Sequence, residues 1–207
     1  MEDDRGIKVV LLGESGVGKT NLIRVSTGKG FEKNENSTIT SAYYEDKAYI
    51  NNKRYLYFLW DTAGQEIYRS LNKIFIKDSK IVMIVFAINS KQSFEQIDFW
   101  HKYVKDILGN DGYIIALVAN KSDLFESQEI SEQEMNKKAE ELGVKIKVTS
   151  AAVDAVGFKN FLEELLKDYI DKYNPEKAQQ PETFKINKEN NEDKNGGENG
   201  KQKKKCC

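Results

Sequence analysis

The sequence predicts an α/β fold in three layers: a six-stranded, mostly parallel sheet with one antiparallel edge strand, flanked by five helices. Three observations predict it. Apolar strand-like runs alternate with helical patterns along 207 residues. A two-residue Asn-Asn link joins the second and third runs as a hairpin, which supplies the antiparallel edge. A glycine-rich turn separates the first run from the first helix. Strands separated by helices pair in parallel, and ligands of such sheets sit at the carboxyl ends of the strands.

The elements follow in order. The run Ile7-Lys8-Val9-Val10-Leu11-Leu12 is almost wholly apolar, as a strand buried on both faces requires, and Asn21-Leu22-Ile23-Arg24-Val25 continues into a helix near 19–27. Strands near 42–50 and 53–60 flank Asn51-Asn52, and a helix is expected near 66–76. A strand near 81–88 precedes a helical pattern over 91–108, and a strand near 113–119 follows. Ser131 with Glu134 forms a capping-box signature for a helix over 131–142. A last strand near 144–149 leads to a helix over 157–173, whose stripe Phe158, Phe161, Leu162, Leu165, Leu166, Tyr169 and Ile170 reads as core. No internal repeat is present.

The segment Gly13-Glu14-Ser15-Gly16-Val17-Gly18-Lys19-Thr20 fits the phosphate-binding pattern G-x-x-x-x-G-K-[ST]. It lies between a strand and a helix, the context that the motif needs. Glycines let successive backbone N–H groups, from Glu14 to Thr20, converge on phosphate oxygens, and the helix N-terminus adds positive partial charge. Lys19 reaches the β- and γ-phosphates in such loops, and the Thr20 hydroxyl ligates Mg²⁺. Without that context, the same residues would read as a plain glycine turn.

Asn120-Lys121-Ser122-Asp123 follows the run Tyr113–Ala119. Alone it is a weak signal, but its chemistry suits guanine. The Asp123 carboxylate accepts from guanine N1–H and N2–H₂, whereas adenine would face it with a lone pair, and mismatches of this kind discriminate strongly. Asn120 suits the major-groove edge of the base, and the Lys121 stem can cover a ring face. A backbone N–H in Ser150-Ala151-Ala152 is placed to donate to guanine O6. Between the two motifs, Asp61 ends a strand-like run and can hold Mg²⁺ through water. Gly64 leaves its N–H free for a γ-phosphate, Gln65 can orient an attacking water, and Thr38 offers a second hydroxyl to Mg²⁺.

GESGVGKT, STIT, WDTAGQE and NKSD in this order, with TSAA after them, resemble the Ras-like small GTPases, and within these the Rab family. The resemblance spans roughly residues 6–173 plus the terminal Cys pair. It implies the P-loop NTPase (small G-protein) fold, and GTP binding and slow hydrolysis with Gln65 as the water-positioning residue. Mg²⁺ is the implied cofactor, held by Thr20, Thr38 and, through water, Asp61. Phe31, seven residues before Thr38, stands where the family stacks an aromatic on guanine. Ile39 lies in the effector-reading segment, and Tyr43, Trp60 and Phe75 fall where Rab proteins carry an effector-reading aromatic triad, though core packing also accounts for Tyr43 and Trp60. STITSAYY most resembles the early-endosomal branch. The implied partners are an exchange factor, a GTPase-activating protein, a GDP-dissociation inhibitor, the prenylation machinery and effectors. The implied place is the cytoplasmic face of an intracellular membrane, with a monomer cycling to and from the cytosol.

Several positions depart from the family pattern. Ile67 stands where the family has Arg or Lys, Thr40 replaces a glycine, Ala152 replaces a lysine, and Ile76-Lys77-Asp78 replaces Tyr-Arg-Gly. None of these is a residue to which phosphate, metal or guanine contact is ascribed above, except Ala152 in the guanine lid.

Composition bounds the alternatives. A hydrophobic content of 39% supports one domain core, expected over 1–173. No apolar stretch reaches the about 18 residues of a membrane span. The acidic start Met1-Glu2-Asp3-Asp4 argues against a signal peptide and for cytosolic origin. Net charge is −1, which gives no footprint for nucleic acid. The single His101 reads as a surface residue of the 91–108 helix, and both cysteines are terminal, which leaves no multi-Cys zinc site in the domain. Residues 174–207 are rich in Asn, Lys, Glu and Gly and are expected to be disordered. They end in Lys203-Lys204-Lys205-Cys206-Cys207, which fits the Rab pattern for double geranylgeranylation. A non-hydrolysing GTP-binding adaptor is the rival reading, and Gln65 argues against it. A P-loop kinase or ATPase is disfavoured by Asp123.

Overall fold

The computed structural model describes residues 6–33, 42–62 and 69–173. Six strands form one sheet in the order β2-β3-β1-β4-β5-β6. The strands are β1 (Ile7–Leu12), β2 (Ala42–Ile50), β3 (Lys53–Asp61), β4 (Ile81–Ala87), β5 (Ile114–Asn120) and β6 (Lys145–Val148). Only β2 pairs antiparallel, with β3; the other four pairings are parallel. The single antiparallel edge therefore stands where the sequence places it. Asn51 and Asn52, at φ 51° and 61°, make the hairpin turn with the two left-handed residues that suit a right-twisted ribbon.

Strand alternation divides the interior into two cores. Val9, Leu11, Met83, Val85, Ala116 and Val118 face one cluster, which α6 (Ala155–Tyr173) fills with all seven residues of its predicted stripe. Leu22 and Ile23 of α1 (Lys19–Ser26) join them. Val10, Leu12, Val82, Ile84, Phe86, Leu117 and Ala119 face the other cluster. That side is covered by Ile76 of α2 (Arg69–Ile76), by Ile97, Trp100 and Val104, and by Met135 and Ala139 of α5 (Glu132–Leu142). The central strands bury both faces, which is why they read as unbroken apolar runs.

The helical pattern over 91–108 is two helices, α3 (Lys91–Glu95) and α4 (Ile97–Leu108). Gln96 ends the first and opens the second, so the described residues hold six α-helices rather than the expected five. The cause is local. The Ser93 hydroxyl accepts from Ala87 N at 3.1 Å, which fixes α3 to the end of β4. Ile97, Trp100 and Val104 meanwhile have to face the core, and the change of direction falls at Gln96. The capping box of α5 forms as predicted, with Glu134 N donating to Ser131 Oγ at 3.2 Å and Ser131 N to Glu134 Oε2 at 2.8 Å. Ile76, at the first position of the Ile-Lys-Asp departure, is wholly buried, and Asp78 adopts φ 63° where the family pattern has glycine. Asp is among the few side chains that tolerate this region.

No helix among the described residues is long and apolar enough to cross a membrane.

Candidate functional site

A pocket of about 460 Å³ opens at the carboxyl ends of β1, β5 and β6, within the size range of small-ligand sites. Its walls come from segments far apart in sequence. Ser15, Gly16, Gly18, Lys19 and Thr20 come from the first loop and the start of α1. Asn120, Lys121 and Asp123 come from the end of β5 and the segment after it, and Ser150, Ala151 and Ala152 from the loop after β6. Phe31, 46% exposed, stands at the rim.

The first loop is shaped by glycine where no other residue fits. Gly13 has φ 140°, and a Cβ there would lie 2.1 Å from Val85 O, so the loop starts pressed against β4. Gly18 has φ 97°, and its Cβ would lie 2.4 Å from Asn120 Nδ2. The turn delivers Gly18 as the N-cap of α1, with its carbonyl accepting from Leu22 N at 3.0 Å. The uncapped N–H groups of that first turn make an anion-binding end.

Lys19 is buried with its ammonium inside the loop, donating to Gly13 O and Glu14 O at 2.9 Å each. Burial pulls its pKa down to about 8, with Asp61 and Glu14 acting the other way. A cation kept out of water beside open pocket space favours an anion as its partner. The Glu14 side chain turns away from the pocket walls, and its Oε1 accepts from Trp100 Nε1 at 3.2 Å. Val17 is buried and contributes its carbonyl rather than its side chain.

Thr20 Oγ1 donates to Asp61 Oδ2 at 2.7 Å, joining the start of α1 to the end of β3. A hydroxyl and a carboxylate in contact are hard oxygen donors, the kind that Mg²⁺ takes together with waters and phosphate oxygens. These residues fit the metal that the sequence implies. No group of three or more His, Cys, Asp or Glu able to hold a metal occurs among the described residues, so a zinc-type cluster is absent there. His101 is half-buried on α4 and does not line the pocket.

The second loop is held by a small hydrogen-bond network. Asn120 is 1% exposed; its Nδ2 donates to Val17 O at 2.8 Å and its Oδ1 accepts from Ala151 N at 3.1 Å. It thus clamps three loops together, a role the motif alone does not announce. Ser150 Oγ donates to Asp123 Oδ1 and accepts from Ala152 N and Val153 N at 3.0 and 3.3 Å. This bond fixes the carboxylate and folds the lid with one hydroxyl. Lys121 holds φ 66°, uncommon for a non-glycine residue and frequent at functional sites.

Sequence reasoning missed Asn21, Lys33, Thr62 and Leu124, which also line the pocket. Asn21 was legible in part. It follows the motif directly, and its amide exchanges two hydrogen bonds with the Glu32 backbone, at 2.9 and 2.8 Å, which secures the Phe31 segment to α1.

Tyr43 and Trp60 are cross-strand partners on β2 and β3, with rings stacked 5.4 Å apart, and Phe75 lies 5.8 Å from Trp60. Tyr43 is 60% exposed, so the cluster has a solvent-facing ring as well as packed ones. Thr38, Ile39, Thr40, Gly64, Gln65, Ile67, Cys206 and Cys207 lie outside the described residues.

A family model described as the Ras family matches residues 8–171. A curated relative, the Ras-related protein Rab-21 of Geodia cydonium, is 41% identical over 145 residues, 70% of this chain. The match covers 62% of that relative's own length, less than two thirds.

Proposed function

The chain belongs to the Ras family, and from that premise we propose that it is a Rab-like switch that binds guanine nucleotides and hydrolyses GTP to GDP and phosphate. One observation carries the reading: Lys19 and Asp123 line one pocket, the first a buried cation and the second a carboxylate held by the Ser150 hydroxyl. That polarity suits a ligand with a polyanion at one end and a donor edge at the other, as guanosine phosphates have.

The residues then take distinct parts. The loop N–H groups and Lys19 bind the phosphates, and Asp123 accepts from the guanine N1 and N2 donors. Ala151 and Ala152 line the lid, their N–H groups donating to Asn120 Oδ1 and Ser150 Oγ rather than standing open for guanine O6 as the sequence suggests, and Phe31 lines the pocket. Thr20, Thr38 and, through water, Asp61 would hold Mg²⁺, which when bound neutralises charge on the β- and γ-phosphates. Gln65 orients the water that attacks the γ-phosphorus. Gly64 and Thr38 read the presence of that phosphate, and the surface of Ile39, Tyr43, Trp60 and Phe75 reports it to effectors.

The remaining features extend the proposal. Lipidation on Cys206 and Cys207 holds the protein on the cytoplasmic face of an endosomal or other vesicle membrane. An exchange factor, an activating protein and a GDP-dissociation inhibitor run the cycle, and the output is control of vesicle traffic.

A nucleotide panel tests the core of the reading. The purified chain should bind GDP and GTP more tightly than ATP by about 10⁴-fold or more, the scale set by unpaired buried polar groups. Asp123→Asn should shift preference to xanthine nucleotides, whose position 2 is an acceptor. Equal affinity for ATP and GTP in the unaltered protein would overturn it.

A further inference from the structure

We propose that Trp100 of α4 is a positioning residue for the phosphate loop: its indole N–H holds the Glu14 carboxylate against α4 and off the pocket wall. The inference rests on the nucleotide-binding reading and deepens it.

A carboxylate is an unexpected side chain in a loop built to receive polyanions. Glu14 is the second residue of the glycine-rich segment, and its own backbone carbonyl lies 2.9 Å from Lys19 Nζ. Left to rotate, its side chain would add negative charge beside the phosphate position. Trp100 prevents this by geometry. Its Nε1 donates to Glu14 Oε1 at 3.2 Å across 86 positions of sequence. The indole itself cannot yield. Trp100 is 1% exposed, on the buried face of α4 with Ile97 and Val104. Phe99 and Tyr103 meet its ring edge-to-face at 5.2 and 6.1 Å. A buried indole N–H needs an acceptor, and a half-buried carboxylate needs a donor. Each meets the other's need, and in this position Glu14 does not line the pocket.

The test is rescue. Full-length protein is loaded with a fluorescent GDP analogue and Mg²⁺, and release is followed after adding excess GDP. Trp100→Phe keeps an aromatic ring and removes the N–H; release should quicken about tenfold, the scale of one charge-assisted hydrogen bond. Adding Glu14→Gln to Trp100→Phe should bring the rate back close to that of the unaltered protein, because no charge is then set loose. A packing role for Trp100 would not be rescued in this way. Benzothienylalanine placed at position 100 alone keeps the bicyclic shape without the N–H and should release as Trp100→Phe does, even if that substitution loosens the core. Release unchanged in both position-100 variants, or no rescue by Glu14→Gln, overturns the proposal while leaving nucleotide binding intact. Failure of the unaltered protein to hold any guanine nucleotide would overturn both.

Discussion

Asn120 Nδ2 donates to Val17 O at 2.8 Å, so the loop proposed to read the base is bonded to the loop proposed to hold the phosphates. The same amide accepts from Ala151 N. Replacing Asn120 with Ala leaves a buried carbonyl and a buried N–H unpaired, at about 1–3 kcal/mol each. The variant should melt lower without nucleotide and lose affinity for guanine nucleotides by an order of magnitude or more. Gly18→Ala should do the same from the other side, since its Cβ would press on Asn120 Nδ2 at 2.4 Å. Thermal melting with and without GDP checks both, and an unshifted midpoint in either variant contradicts the clamp.

Much of this site was legible in the sequence, and the reason is local. Lys19, Thr20 and Asp123 act within short motifs whose spacing fixes the backbone, so the residues name their own neighbours. Asn51-Asn52 announced the hairpin because few other residues accept two left-handed positions. The stripe of α6 was readable because one face meets one core. Illegible were the contacts that join distant segments. One local contact is equally unmarked: the Ser93–Ala87 bond spans six positions with no residue pattern to announce it, so the break at Gln96 is not readable in the sequence. Ser150 is assigned to the guanine lid from sequence, but the bond of its hydroxyl to Asp123, 27 positions away, is visible only in the fold. Nor does anything in the motif around Glu14 point to Trp100, 86 positions away.

The buried Lys19 ammonium gives a pH dependence with a definite sign. Its pKa is down at about 8 in the folded protein, below the ordinary 10.5 of an unfolded chain. Between these values the unfolded state binds more protons, so this group makes the ligand-free fold more stable as pH rises from about 8 towards 10.5. A bound phosphate favours the charged form and raises the pKa again. GDP binding near pH 8.5 should therefore take up protons, at a pH where phosphate groups with a second pKa of about 6 are already ionised. Calorimetry in buffers of different ionisation enthalpy reads this directly. Lys19→Met should abolish the uptake; an equal uptake in that variant would assign it elsewhere.

Hydrolysis should be slow without help. No arginine occurs between Phe31 and Thr38, so no guanidinium is supplied there in cis. Intrinsic turnover is expected at about 10⁻⁴–10⁻² s⁻¹, with an activating protein providing the missing positive charge. Gln65→Leu should lower turnover further and leave GTP affinity unchanged, since it removes the water-orienting group and no phosphate contact. Single-turnover phosphate release measures both. Several turnovers per second without a partner would contradict the account, and no turnover even with cell extract would favour the static adaptor.

The chain's last five residues make the remaining prediction. Lys203, Lys204 and Lys205 precede Cys206 and Cys207. A single lipid chain binds membranes marginally and reversibly, whereas two give stable attachment. Each lysine near an anionic leaflet adds about 1 kcal/mol, screened by salt. Replacing both cysteines with Ser should leave GDP binding intact and move the protein from the membrane fraction to the soluble one. A single replacement should give partial, reversible attachment. Changing the three lysines to Gln should weaken attachment less, and mainly at low salt. Cell fractionation with parallel nucleotide binding separates these outcomes. A double-Ser protein that still pellets with its membrane would place the anchor elsewhere in the chain.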